Sequence, residues 1–410
     1  MENEKLADEQ DAAGANSTLV MEQDEFQAAF GESINRTLDI DTWDAGEDLA
    51  AMYEALQQEV ALAVEQEGRV RERVRSELFP VVFRHPGAPS CAGHYQVDLP
   101  TIERIHRGLL FNGSVEACDG TVNIHDTLPV TIAQIGVSLV SYQGDRGTWL
   151  HRLYRRDLRV AGPDPIAEVM DLLERRRHRE STDAPSVRDT LGAFTQVGIM
   201  AFAERAILLR KSSAPWRMGH GHPVPYELLT GGGLAIDGDM PLLRQSMEMW
   251  RELLINHKRW VFVTSAPADR VLLTLGDALG PLEFALVATP LQVMRDIASG
   301  NFPVRTGLKR DLLNFVEELG PQIVIGLYRA SVHAPARLFY AHRDYASMAA
   351  SIVIADSVLQ EQRGFPLLID LADTVCRTTF GGGTFQSMIQ QAYAEAGEPF
   401  RYLGERETRR

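Results

Sequence analysis

The sequence predicts a mixed α/β domain preceded by a helical arm. Three observations predict it. Short apolar runs alternate with amphipathic stretches from Leu242 to Tyr328, a long apolar-faced helix pattern occupies Ser186 to Lys211, and an earlier pair of apolar runs at Val115–Cys118 and Ile132–Val140 reads as strands. With 410 residues and 45% hydrophobic content, the chain has enough apolar surface for a sizeable core.

Residues 1–44 are acidic and poor in large apolar side chains, so a disordered tail is expected there. Over residues 45–80, Leu49, Met52, Leu56, Val60 and Val64 recur at the spacing of an amphipathic helix suited to a dimer or partner arm. Pro80, Pro86 and Pro89 then end the helical pattern, marking entry into a main domain over 81–400, with 401–410 as a C-terminal tail. Asp119-Gly120-Thr121 reads as a tight turn between strands, placing Asp119 at or near a strand end, where a carboxylate can face a cleft. Glu204 lies among apolar residues of the long helix, and a carboxylate buried there needs a cation nearby. Gly219 to Gly233 is rich in Gly and Pro and reads as a long functional loop carrying His220, His222 and Glu227. Strand–helix pairs follow: helix from Leu242 to Leu254, strand Trp260–Thr264, helix from Val271, strand Phe284–Val287, helix from Leu308, strand Ile323–Tyr328. A strand near Leu338–Tyr340 and helices from Tyr345, Leu367 and Phe385 complete the pattern.

The net charge of −15 and pI near 5.2 exclude a protein that coats nucleic acid through its overall field. Any contact with DNA must be local. Arg152, Arg155, Arg156 and Arg159, and again Arg175, Arg176, Arg177 and Arg179, offer guanidinium groups for phosphates, or else a solvated helix face. Three scattered cysteines, Cys91, Cys118 and Cys376, form neither a disulfide framework nor a zinc site. No apolar run is long enough to span a membrane and no secretory signal pattern opens the chain, so a soluble cytoplasmic protein is expected. Gly231-Gly232-Gly233 and Gly381-Gly382-Gly383 lack the Gly-Lys-Ser/Thr ending of a nucleotide-binding loop, which excludes that type of ATPase.

Dispersed acids are the remaining chemical signal. Asp119 on the strand pair, Glu204 on the long helix, Glu227 or Asp237 in or after the glycine loop, and Asp370 or Asp373 on a late helix come from several elements, as carboxylates must if they are to converge on one or two hard cations for phosphodiester hydrolysis. Asp119-Gly120-Thr121 after an apolar run resembles the Asp-Gly-Ser signature of the NurA family of DNA end-processing nucleases. The helical Glu204, a later acidic-Gly pattern, and Gly364-Phe365-Pro366 followed by Leu371-Ala372-Asp373 resemble the family's subsequent motifs in order. The resemblance covers roughly residues 110–400.

It implies a ribonuclease H-like mixed sheet flanked by helices, a site holding Mn²⁺ or Mg²⁺, a homodimer, and docking onto a hexameric HerA-type ATPase that feeds DNA to the nuclease. It implies catalytic roles for Asp119, Glu204 and Asp373, and metal ligation by these with Glu227 or Asp237. The family's second Asp-Gly pattern has two counterparts, Asp237-Gly238 or Thr230-Gly231. In the second case Glu227 would substitute, and His220 or His222 would add nitrogen ligands. Asp373 stands where the family has a histidine, which leaves open an adaptor that binds DNA and the ATPase without cleaving.

Overall fold

Strand patterns that alternate between two buried faces are realised as a nine-stranded sheet, seen in a computed structural model that describes residues 23–43, 49–126, 130–156, 170, 193–236, 239–264, 269–300 and 306–400. The strands are β1 (Gly93–Gln96), β2 (Val115–Asp126), β3 (Val130–Ser141), β4 (Gly144–Arg156), β5 (Trp216–His220), β6 (Trp260–Thr264), β7 (Glu283–Ala288), β8 (Ile323–Arg329) and β9 (Arg337–His342). Their spatial order is β1-β7-β8-β9-β6-β5-β2-β3-β4.

Strands β2, β3 and β4 form an antiparallel meander, β5 lies parallel to β2, and β6 lies parallel to β5. Numbered from β2, that half of the sheet runs 3-2-1-4-5 with three antiparallel and two parallel strands, the ribonuclease H-like arrangement. The other half, β9, β8, β7 and β1, continues antiparallel from β6. Side-chain alternation feeds a core on each face: Trp260 and Phe262 enter one, Val261 and Val263 the other.

The chain divides into two compact units, Met1–Gly68 and Arg69–Arg410. The first contains helices α1 (Gln23–Phe30) and α2 (Ile34–Leu38), the latter capped by the Ser33 side chain, and most of the 25-residue helix α3 (Leu49–Arg73). The α3 stripe Leu49, Met52, Leu56, Val60 and Val64 is at least half exposed throughout. In the second unit, α4 (Phe79–Phe83) and α5 (Leu99–Ile105) precede β2, and α6 (Ala193–Arg210) follows the meander. Later come α7 (Tyr226–Leu229), α8 (Pro241–Trp250), α9 (Arg270–Asp277), α10 (Leu291–Ser299), α11 (Thr306–Leu319), α12 (Ala346–Ser357), α13 (Leu367–Phe380) and α14 (Gly382–Glu395). Among the described residues, no helix is long and apolar enough to cross a membrane.

Three expectations are corrected. Asp119-Gly120-Thr121 is not a turn: β2 runs straight through it, with Asp119 opposite Ser138 and Gly120 opposite Val137. Gly219–Gly233 is not one loop. Gly219 and His220 belong to β5, where a Cβ on Gly219 would meet the Phe262 ring at 2.3 Å, so that glycine serves ring packing inside the sheet. Residues 221–225 and Gly231–Gly233 keep the loop reading, with Gly221 and all three of Gly231–Gly233 at positive φ, a backbone that disfavours other residues. Finally, Arg152 sits on the edge strand β4, not on a helix, and its Nε donates to Gln134 Oε1 at 3.2 Å. Charged side chains suit an edge strand, which they guard against further pairing. Strands β1 and β4, residues 216–218 of β5 and helix α10 had no expectation from the sequence; β1 lacks an apolar run.

Candidate active site

Asp119 is held by β2 and is 7% exposed. The neighbouring Gly120 explains how a helical acid reaches it. A Cβ at Gly120 would lie 2.7 Å from Glu204 Oε1 and 2.9 Å from Met200 Cγ, so the bare backbone lets α6 bring Glu204 against the strand. Glu204 is 8% exposed, and Arg205 Nη1 donates to its Oε2 at 3.0 Å. The same guanidinium donates to the carbonyls of Ala201 (2.8 Å), Pro223 (3.1 Å) and His222 (2.5 Å), and it lies 5.2 Å from the centre of the Phe262 ring. Arg205 therefore stitches α6 to the segment after β5 with its donors occupied. Burial pushes the Glu204 pKa up to about 7; Arg205 opposes that rise, the charge of Asp119 adds to it, and His220 opposes it.

His220 ends β5 beside β2, with Nδ1 3.8 Å from Asp119 Oδ1. That separation is beyond hydrogen-bond length, so the contact is an ion pair when the ring is protonated. Asp119 raises the His220 pKa, against burial that lowers it. His222 differs: burial and the Arg205 charge lower its pKa to about 4. Its Nδ1 accepts from Val224 N at 3.0 Å, and its ring packs 4.3 Å from that of Tyr340. Neutral and already bonded through Nδ1, His222 is built into the wall.

Asp373 comes from α13, which three bonds to carbonyls fix against the meander. Ser138 Oγ donates to Ala372 O at 2.6 Å, while Asn123 Nδ2 and Gln134 Nε2 donate to Phe380 O at 2.6 and 2.9 Å. Asp373 accepts from Arg377 Nη1 at 2.9 Å, a pairing one helical turn on.

These elements enclose a cavity of about 500 Å³ at the end of β5. Asp119, Glu204, His220, His222, Glu227 and Asp373 all line it. Distant acids thus meet in one pocket. Asp237, Arg176 and Arg177 lie outside the described residues, as do the side chains of Arg155 and Arg156. The cavity is also lined by Arg205, Arg337, Arg363 and Phe365, none of which the sequence marks for a site role. Phe365 stands within the Gly-Phe-Pro pattern; for Arg337 and Arg363 there is no local signal.

Among the described residues, no three His, Cys, Asp or Glu side chains stand as a ready-made metal cluster. The donor chemistry fits a hard divalent cation all the same. Two carboxylates crowd each other, as the effect of Asp119 on Glu204 shows, and an imidazole stands beside them. A cation would relieve that repulsion; the carboxylate oxygens suit Mg²⁺ or Mn²⁺, and an added imidazole favours the softer Mn²⁺ of the two.

Fold and cavity together describe a mixed α/β protein with an acid-lined pocket at the end of β5 in a ribonuclease H-like sheet. No protein-family model matches the sequence, and no curated protein does. Among solved structures the chain is similar to the NurA nuclease from Sulfolobus solfataricus, at 9% identity and a TM-score of 0.43, covering 85% of this chain and 99% of that one. It is also similar to NurA with manganese (8% identity, TM-score 0.37, 82% and 98% covered) and to NurA bound to dAMP and manganese (8%, 0.34, 82% and 97%).

Proposed function

We propose that the chain is a divalent-metal-dependent nuclease that hydrolyses phosphodiester bonds in DNA, with Asp119, Glu204 and His220 as the groups that would hold Mn²⁺ or Mg²⁺. The observation that carries this reading is the meeting of Asp119 and Glu204 in one cavity. A bound cation would supply a more acidic water and charge stabilisation for the leaving oxygen. The chain's own contribution is positional. Gly120 lets Glu204 approach, Arg205 fixes its Oε2, and β2 with β5 hold Asp119 and His220 side by side. Glu227 and Asp373 complete the acidic lining, Asp373 tethered by Arg377.

His220 is the last residue of the strand adjoining Asp119, so it can supply the nitrogen ligand that the Thr230-Gly231 alternative calls for. In this reading an imidazole replaces a carboxylate at that strand end, and Asp373 supplies a carboxylate on α13. Work beside a hexameric HerA-type ATPase and assembly as a homodimer belong to the same proposal and rest on the sequence resemblance; a cytoplasmic location rests on the cysteine usage and the sequence pattern. The exposed apolar stripe of α3 supports a partner-binding arm.

The test is a Mn²⁺ and Mg²⁺ titration on linear DNA, with and without the ATPase, run beside Asp119→Asn. Metal-dependent cleavage that the variant lacks is the expected result. A specific observation favours a second reading, that of a non-cleaving adaptor: Glu204 and Asp373 already have arginine partners. DNA left intact under every metal condition, with binding retained, selects the adaptor.

A further inference from the structure

The cavity has a second wall of opposite character. Arg337 opens β9, and Arg363 precedes Gly364 and Phe365 in the turn before α13. Both guanidinium groups rest on the same ring, 5.7 Å and 5.9 Å from the Phe365 centroid. The pair is tied together further, since Arg337 Nη2 donates to the Arg363 carbonyl oxygen at 2.6 Å. Phe365 itself is buried and meets the His220 ring edge-on at 5.7 Å, so the arginines and the Asp119–His220 pair share one aromatic support. One carboxylate of the cavity lining, Asp370, bonds to Arg363 and to Gln360. The charge of Arg363 adds to burial in lowering the Arg337 pKa, which marks the two guanidinium groups as close neighbours. Like charges gathered side by side on one ring at a cavity wall cost repulsion; Asp370 offsets part of it, and a bound anion would offset more.

We propose that Arg337 and Arg363 form a phosphate-binding wall that seats one phosphate of a single-stranded nucleic-acid end while a neighbouring phosphodiester lies against the acidic wall. This rests on the hydrolytic reading for the second half of the statement. The acidic wall by itself repels any phosphate, so attraction has to be supplied beside it, and consecutive phosphates of one strand satisfy both walls at once. A cavity of about 500 Å³ has the size of a small-ligand pocket, which takes a nucleotide-sized strand end and not a duplex. Guanidinium geometry matches phosphate oxygens in pairs, and stacking on Phe365 limits the freedom each side chain loses on binding.

The test measures binding of a short fluorescein-labelled oligothymidylate to the full chain in EDTA, so that no cleavage occurs, across a salt series. Arg337→Gln and Arg363→Gln are each expected to weaken binding roughly tenfold or more. The slope of log affinity against log salt should fall by about 0.7 for each phosphate that is no longer neutralised. Inorganic phosphate should compete with the strand on the wild-type chain and compete less on the variants. A duplex of the same length should bind more weakly. Arg337→Lys and Arg363→Lys keep the charge, so they should keep the slope while losing several-fold in affinity; they carry the test if a glutamine variant melts at the working temperature.

Wild-type affinity and slope in the arginine variants would overturn the proposal, as would failure of the wild-type chain to bind the strand, or equal affinity for duplex. The two readings fail separately. Arginine-dependent strand binding without metal-dependent cleavage sinks only the hydrolytic reading. Cleavage by a chain whose arginine variants bind normally sinks only this one.

Discussion

Two regions of the molecule each bury a carboxyl, and they treat it differently. Asp356, inside α12, accepts from the Tyr142 hydroxyl on one oxygen and from Leu368 N at 2.9 Å on the other. Burial raises its pKa to about 6 in spite of those two bonds. Glu204 is raised to about 7 by the same cause, but it stands at a cavity, against a charged arginine and in the field of Asp119. Asp356 joins the start of α13 to the strand meander; Glu204 joins a helix to a second acid. A perturbed pKa therefore does not by itself separate structural from functional carboxyls. The like-charged neighbour and the open space do.

The sharpest way to break this comparison is Asp119→Asn. If the pair Asp119 and Glu204 carries the chemistry, cleavage by the variant should fall by roughly 10²–10³-fold, while the fold survives, since removing a neighbouring negative charge relieves Glu204. Cleavage rate and thermal melting measured on the same preparation check both halves. Next in size is Asp356→Ala. It strands a half-buried tyrosine hydroxyl and a buried helix-start amide, and should cost about 3–4 kcal/mol of stability with activity per folded molecule unchanged. Chemical denaturation beside an active-site-normalised assay reads it. Loss of specific activity would show that α13 transmits the change to Asp373, and would erase the distinction.

The pH dependence of stability sharpens the same contrast. Asp356 has a folded-state pKa of about 6, above its ordinary value near 3.8. The folded state thus holds its proton more tightly than the unfolded one. The associated stability is fully present below about pH 4 and is lost as pH rises through about 6. Relative to Asp356→Asn, which does not titrate, the wild-type chain should lose about 2–3 kcal/mol between those limits. Denaturant titrations of both chains at matched pH values give the difference. A flat difference would mean that Tyr142 and Leu368 hold the charged form as well as water does.

How far the site was readable depends on how local its causes are. The α/β alternation from Trp260 to Tyr328 was legible because buried strands and one-sided helices write their own periodicity. The convergence of Asp119 and Glu204 was legible only as a need: an acid among apolar residues of α6 requires a partner, and Arg205 proved to be the adjacent residue. His220 was misassigned to a loop because glycines normally punctuate strands, whereas Gly219 is there to seat the Phe262 ring. Arg337 and Arg363 were invisible, since what brings them together is their common stacking on Phe365. That stacking belongs to the tertiary fold.

The Asp-Gly dipeptide shows how one local signal misleads and what replaces it. As a turn, Gly120 would owe its identity to a positive φ, and it would tolerate little besides Asn. As a mid-strand residue it owes its identity to the helix above it, where an added methyl meets Glu204 Oε1 at 2.7 Å and Met200 Cγ at 2.9 Å. Gly120→Ala should therefore cost about 1–3 kcal/mol of stability, as overpacking does, and should lower cleavage by roughly tenfold by pushing Glu204 away from Asp119. The diagnostic partner is Glu204→Asp, whose shorter side chain leaves room for the methyl. Combined with Gly120→Ala it should recover part of the stability that Gly120→Ala alone removes, the contact with Met200 remaining, and so give a coupling between the two sites that a turn glycine would not show. Additive losses in the double variant would mean that the helix and strand do not meet where the site depends on their meeting.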